Sequence, residues 1–314
     1  MRKITALFLL LPLFPTFAQG SSTEPVRVSA KAFGDTVALE VRDLPRQAAE
    51  AALRAALVEV LEIEQAVSDP GEVASRLAPI LTRGRQFCLW SGGAFGPLGG
   101  RLARLWGLSG EPLGRPTAGK LAEAVASARC AAIGTDGSSP VLAEGSELDL
   151  THFAPGFAID RAAAVLRSHG AGNGWIRIGS SRRGFGPGPA GLGWPVELPT
   201  FEGLDKPLEK LFLKDRALAI ARLDDHPLVI GGDRMAPYLD QRTGQPAQGV
   251  VATLTVTELA LDAQALSVAL FILGSREGEF RVSNLKPEPS VLWLLGSGTG
   301  RPLLSSYRWS KARQ

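Results

Sequence analysis

Leu261–Gly274, which reads LDAQALSVALFILG, is the most informative stretch of this 314-residue chain. Its apolar residues continue almost unbroken up to a glycine, so the stretch predicts the last helix of the chain, Asp262–Gly274. A second stretch, Leu239–Pro246, reads LDQRTGQP and lies a short distance upstream. Its aspartate and its glycine predict a tight turn in front of that helix.

Helix and strand patterns alternate through the rest of the chain, with no internal repeat and no clear linker. Helical spacing of apolar residues is clearest over Arg46–Val67, and further helices are expected over 95–106, 116–129 and 155–167. Strands are expected over 26–29, 37–41, 148–150, 175–178, 195–198, 217–221 and 251–257. The glycines and prolines of Gly179–Gly193 predict a loop. Mixed strands and helices in this order indicate an α+β fold.

The N-terminus has the pattern of a secretory signal peptide. Arg2 and Lys3 precede an apolar run from Ile4 to about Phe14, and small residues follow as far as Ala18. We therefore expect a signal peptide over 1–18, a single mature domain over 19–314 and a periplasmic location. A lipobox cysteine is absent from this segment, so no lipid anchor is expected, and no later run predicts a membrane span.

Charge and cysteine content exclude several classes of function. The net charge of +3 falls to about +1 without Arg2 and Lys3, which argues against a nucleic-acid partner. Cys88 and Cys130 are the only cysteines, and they form either one disulfide or two buried free thiols. With three scattered histidines beside them, they give no ligand cluster for zinc.

Several blocks of the sequence resemble, in the same order, the FAD:protein FMN transferases, the ApbE family. Leu239–Pro246 resembles the D-P-x-T-G motif of that family, and Leu261–Gly274 resembles A-D-A-x-x-T-A. Trp90–Phe95, Leu148–Asp160 and Ile176–Gly179 resemble three earlier blocks, so the similarity runs from about Val26 to Gly274. The resemblance implies mixed, largely antiparallel sheets flanked by helices, the flavin-transferase fold. It also implies an activity that cleaves FAD and moves FMN onto a threonine or serine of a periplasmic or membrane-bound redox protein.

The resemblance supplies the candidate FAD-binding residues. Glycines allow the backbone to approach a flat or charged ligand closely, and a glycine at a helix start leaves amide groups for phosphate oxygens. An aspartate and a threonine of the D-P-x-T-G motif are expected to line the pocket. The candidates are Gly92, Gly93, Gly156, Asp160, Gly179, Asp240 and Thr243. No catalytic residue is assigned.

Polar positions of the family motifs are systematically replaced. Gln264 and Val268 stand where the resemblance implies the aspartate and threonine that help to hold Mg²⁺, and Pro155 and Pro237 replace a lysine and a histidine. An amide carries no charge and a valine offers no ligand, so a magnesium site is expected to be weakened. Three hypotheses follow: an FMN transferase with an altered site, an FAD-binding protein that does not cleave FAD, and a scaffold that binds no flavin.

Overall fold

A computed structural model describes residues 24–68, 76–108, 114–136, 139–230, 232–297 and 300–312. The predicted signal peptide lies outside these ranges. Within them, no helix is both long enough and apolar enough to cross a bilayer. The strands are β1 Val26–Ala32, β2 Asp35–Val41, β3 Ile133–Asp136, β4 Ser139–Leu142, β5 Gly174–Ile178, β6 Ser181–Phe185, β7 Trp194–Val196, β8 Leu211–Leu213, β9 Arg216–Arg222, β10 Leu228–Ile230, β11 Asp233–Met235, β12 Leu239–Asp240, β13 Gln245–Pro246, β14 Val250–Thr257, β15 Ser290–Leu295 and β16 Leu303–Tyr307. The α-helices are α1 Arg46–Ser68, α2 Ala78–Trp90, α3 Gly100–Leu105, α4 Ala118–Ser127, α5 Ala154–Ser168, α6 Ala260–Val282 and α7 Trp309–Ala312.

One antiparallel sheet organises the fold, with its eight strands in the order β1-β2-β5-β6-β9-β14-β15-β16. Helices α1, α5 and α6 pack on one face of this sheet. The strand pair β7–β8 and helix α7 pack on the other face, over β9, β14 and β15. The predicted α+β class, with a largely antiparallel sheet flanked by helices, is therefore confirmed.

Alternation along the strands separates two apolar cores. Ala217 and Ala219 of β9 face α1 and α5, whereas Leu218 and Ile220 face β7 and β8. Because β9 and β14 are covered on both faces, they are apolar at nearly every position. Helix α6 is likewise buried on most sides, which explains its nearly continuous apolar sequence.

Most predicted elements are present, and four predictions differ clearly from the structure. The helix expected over 95–106 is limited to α3, and residues 148–150 form no strand. Helix α6 does not end at Gly274: that glycine has a φ of 70° at a kink, and helical structure resumes up to Val282. The predicted loop Gly179–Gly193 contains strand β6, in which two arginines and the internal Gly184 conceal a strand pattern.

Cys88 and Cys130 form a disulfide, with Cα atoms 5.6 Å apart. The bond joins the end of α2 to the short 3-10 helix Cys130–Ala132. The alternative of two free thiols is therefore wrong. The disulfide ties α2 to the segment that carries α3 and α4, and α3 forms one wall of a cavity in front of α5.

Candidate functional site

A cavity of about 770 Å³ opens between the loop before α5, the β5–β6 turn and the segment after β11. Its volume is in the range of small-molecule and cofactor pockets. Ile178, Gly179 and Ser180 form one rim, and Asp149 and His152 form another. Charged, polar and apolar residues all line the wall, so the cavity suits a ligand that has both apolar and polar parts.

Gly179 is the predicted site residue that lines this cavity. It has a φ of 56°, and a Cβ atom there would lie 2.4 Å from the Asp35 carboxylate. The positive φ therefore favours glycine at the turn, and a Cβ would also displace the Asp35 carboxylate. Asp35 itself is part of the cavity wall.

Gly92, Gly93 and Asp240 come together elsewhere, around Arg242 and Arg281. The guanidinium of Arg242 bonds both oxygens of Asp240 and also pairs with Glu277, which holds Arg281. A Cβ at Gly92 would lie 2.7 Å from Arg281, and one at Gly93 would lie 4.0 Å from Arg242. These four charged groups close the turn after α2 against the β12–β13 hairpin.

Thr243 belongs to the same hairpin, where its hydroxyl accepts a hydrogen bond from the Gln245 amide at 3.2 Å. The backbone amide of Gly244 donates to the Asp240 carbonyl at 2.7 Å. This is the tight turn that the sequence predicts. Asp240 and Thr243 are thus placed as turn residues, and neither is part of the cavity wall formed by the described residues.

Asp160 anchors helix α6. Its carboxylate accepts hydrogen bonds from the amides of Ala260 at 2.9 Å and Leu261 at 3.0 Å, and it pairs with Arg183 at 2.5 Å. A carboxylate at a helix N-terminus is favoured by the helix dipole. Asp160 is turned towards α6 and β6, so it pairs with neither Arg161 nor Arg167 of its own helix.

Gly156 lies at the closest approach of α5 and α6. A Cβ at this position would lie 2.5 Å from the carbonyl oxygen of Ala260, so only glycine fits. Its amide donates a 2.6 Å hydrogen bond to Oε1 of Gln264. The expectation of a free amide for a phosphate oxygen is therefore wrong in this structure.

The residues at the expected magnesium position do not fit a magnesium ion. Gln264 uses its carbonyl oxygen on Gly156 and turns its amide nitrogen towards the carbonyl of Thr151, 3.5 Å away. Val268 is 3% exposed and offers only methyl groups. Asp262 is bound by Arg83 at 2.7 Å. No group of three His, Cys, Asp or Glu side chains suited to a metal occurs in the described ranges.

Sequence reasoning missed a cluster of titratable side chains in the cavity. The ring of His152 contacts the ring of Tyr238 edge to face, with centroids 5.4 Å apart. Burial lowers the pKa of His152, and the charge of Asp149 opposes this shift only in part. His152 is therefore neutral at neutral pH. Its partners lie far apart in sequence, so motif spacing gave no signal for the cluster.

Tyr238 connects this cluster to a second carboxyl group. Its hydroxyl lies 3.4 Å from Oδ2 of Asp225 and accepts a hydrogen bond from the Arg222 amide. Burial and the charge of Asp225 raise the pKa of Tyr238, and burial also raises the pKa of Asp225. The cavity thus presents a neutral imidazole and a protonated phenol side by side.

Comparison with known proteins identifies relatives across most of the chain. The family model described as the ApbE family matches residues 28–292. A FAD:protein FMN transferase of Haemophilus influenzae is 29% identical over 220 residues, which are 66% of this chain and 63% of that protein. One from Treponema pallidum is 26% identical over 230 residues and is also matched over 63% of its length. The chain thus spans less than two thirds of these curated relatives.

Solved structures agree on the fold. The crystal structure of the ApbE protein of Thermotoga maritima superposes with a TM-score of 0.78 at 24% identity, over 93% of this chain and 100% of that one. The agreement supports a large antiparallel sheet flanked by helices.

Proposed function

This chain belongs to the ApbE family, and on that basis we propose that it binds FAD in the 770 Å³ cavity and transfers FMN to a hydroxyl of another protein. The cavity is the observation that carries the proposal, because it combines apolar walls with the polar groups of His152 and Tyr238. The curated relatives, both FAD:protein FMN transferases, support it.

The proposed reaction exchanges one phosphate linkage for another. The bond between the FMN phosphorus and the bridging pyrophosphate oxygen breaks, and a bond forms from that phosphorus to a threonine or serine oxygen. AMP leaves with the bridging oxygen, and the acceptor hydroxyl loses its proton. We assign that proton to a ring nitrogen of His152, since this histidine lines the cavity and its neutral ring can accept a proton. Tyr238 contacts the ring and holds it in place.

Magnesium would neutralise the pyrophosphate charge in such a reaction. The donor set here does not fit it, so no step is assigned to a metal. The same observation favours a second candidate function, FAD binding without FMN transfer. Gln264 spans the gap between Gly156 and Thr151 with a neutral amide, and Pro155 has neither a positive charge nor an amide N–H.

The acceptor and the location are part of the proposal. The signal-peptide pattern over 1–18 supports a periplasmic location. The acceptor is then a redox protein in the periplasm or on the membrane surface facing it.

Release of AMP from FAD tests the transfer. The mature protein is incubated with FAD and a threonine-bearing acceptor, and AMP and acceptor-bound flavin fluorescence are measured. AMP release coupled to fluorescent acceptor supports transfer. Saturable FAD binding without AMP release supports the second candidate. Absence of FAD binding contradicts both and leaves a scaffold.

A further inference from the structure

A second cavity, of about 300 Å³, lies on the sheet face opposite α1, α5 and α6. Trp175 and Arg177 of β5 line it, whereas the intervening Ile176 is buried in the helix-side core. Arg182 of β6 is the cross-strand partner of Arg177 and therefore points to the same face. The sheet thus separates this cavity from α5 and α6.

One carboxylate in this cavity is fully engaged. Glu40, which is 1% exposed, accepts hydrogen bonds from Arg27 at 2.6 Å, Arg42 at 2.7 Å and the indole of Trp175 at 2.9 Å. Burial raises the pKa of Glu40, but the three donors outweigh burial and lower it below the ordinary value. Glu40 is therefore ionised, and its three hydrogen bonds go to Arg27, Arg42 and Trp175 and not to Arg177 or Arg182.

Neither Arg177 nor Arg182 forms an ion pair with a carboxylate among the described residues, and the nearby Glu40 is bonded to Arg27 and Arg42. The Nε atoms of both are shielded from solvent and have no hydrogen-bond partner there. Burial, together with the positive charge of Arg177, lowers the pKa of Arg182 to about 10. Buried polar groups in native proteins are nearly always paired, and two like charges on adjacent strands repel each other. The pair therefore lacks an anion.

The remaining wall is apolar. Trp194, Pro195 and Val196 of β7 and Leu213 of β8 close the cavity on the side facing the sheet. Trp194 is itself stacked under Arg42, whose guanidinium carbon lies 5.5 Å from the ring centroid. The volume admits one small molecule, and a guanidinium is well suited to a phosphate or carboxylate because its N–H groups match two oxygens.

We propose that this cavity binds a small organic anion, whose phosphate or carboxylate group meets Arg177 and Arg182 and whose compact apolar body lies against β7. The site is independent of the flavin cavity and of FMN transfer.

Titration calorimetry at low salt tests this site with phenyl phosphate and benzoate as probes, on protein saturated with FAD and on protein without it. Arg182→Gln should weaken binding at least about tenfold, the effect of losing one charge-assisted pair. The matched control is Arg54→Gln, which removes the same charge from the exposed side of α1. Arg54→Gln should bind like the parent protein.

The melting temperature of each variant distinguishes a loss of anion binding from a loss of folding. Arg182→Gln removes a partly buried charge that forms no ion pair among the described residues, so its melting temperature without ligand should equal or exceed that of the parent protein. Binding of phenyl phosphate alone identifies a phosphate site, binding of benzoate alone a carboxylate site, and binding of both a general oxyanion site. The proposal is overturned if neither probe binds at about 10 mM, ten times a Kd of about 1 mM, or if the two variants weaken binding equally.

Discussion

Replacement of Gln264 by alanine tests whether its amide bridges α5 and α6. The variant leaves the amide of the buried Gly156 without the acceptor that it now has at 2.6 Å. An unpaired buried donor costs about 1–3 kcal/mol. The contact of the Gln264 nitrogen with Thr151, at 3.5 Å, is at the limit of a hydrogen bond and adds little. Alanine returns a few tenths of a kcal/mol through its helix propensity.

We therefore expect a net loss of about 1–2 kcal/mol in the free energy of unfolding. Urea unfolding at neutral pH, followed by tryptophan fluorescence and by far-UV circular dichroism, measures this loss. Gln264→Glu is the matched control, because its carboxylate still accepts from the Gly156 amide and should preserve most of the stability. An alanine variant that unfolds at the parent midpoint, or a glutamate variant that loses as much as alanine, would refute the bridging role.

Four further outcomes are expected. His152→Gln should lower the rate of FMN transfer about 10²–10⁴-fold with FAD affinity retained, as measured by AMP release and flavin fluorescence. The pKa of His152 is lower in the folded protein than in the unfolded chain, so the unfolded chain takes up the proton first as the pH falls below about 6.5. The free energy of unfolding of the parent protein should therefore decrease below that pH, and that of His152→Gln should decrease less. Urea midpoints at successive pH values measure this difference. The Cys88→Ala and Cys130→Ala double variant removes a cross-link between residues 42 positions apart, so the free energy of unfolding should fall by about 4 kcal/mol. Denaturant titration measures this loss, and an unchanged midpoint would contradict a stabilising disulfide. Gln264→Asp combined with Val268→Thr restores a carboxylate and a hydroxyl at the cation position. Magnesium should therefore raise the melting temperature of this variant and not that of the parent protein. An equal rise in both proteins, or none in either, would count against the placement of this helix at the cation position.

Elements with a strong local pattern were predictable from sequence. Helix α1 repeats its apolar residues at helical spacing, and β14 is a bounded β-branched run. Strand β6 was missed because Arg182 and Arg183 look solvated in sequence. In the structure the two side chains lie on opposite faces of the sheet. Arg183 pairs with Asp160, which is 23 residues earlier in the sequence, whereas Arg182 lies beside Arg177 in the second cavity. Only the pairing of strands reveals these roles.

The site was predictable in outline and not in detail. The family blocks identified the segments around the cavity, and Gly179 lies on its wall. The bond from Gly156 to Gln264 spans 108 residues, and the ring contact of His152 with Tyr238 spans a similar distance. Such contacts depend on how α5, α6 and the loops pack, so neither the occupied amide of Gly156 nor the neutral histidine has a local sequence signal.

Titration of the purified protein with FAD, once in magnesium and once in EDTA, tests the central claim most directly. Flavin fluorescence reports binding, and the two dissociation constants are compared. Because Gln264 bridges the cation position with a neutral amide, we expect saturable binding with the same constant in both solutions. Binding that vanishes in EDTA, or no binding in either solution, would contradict a flavin cavity that is organised without a metal.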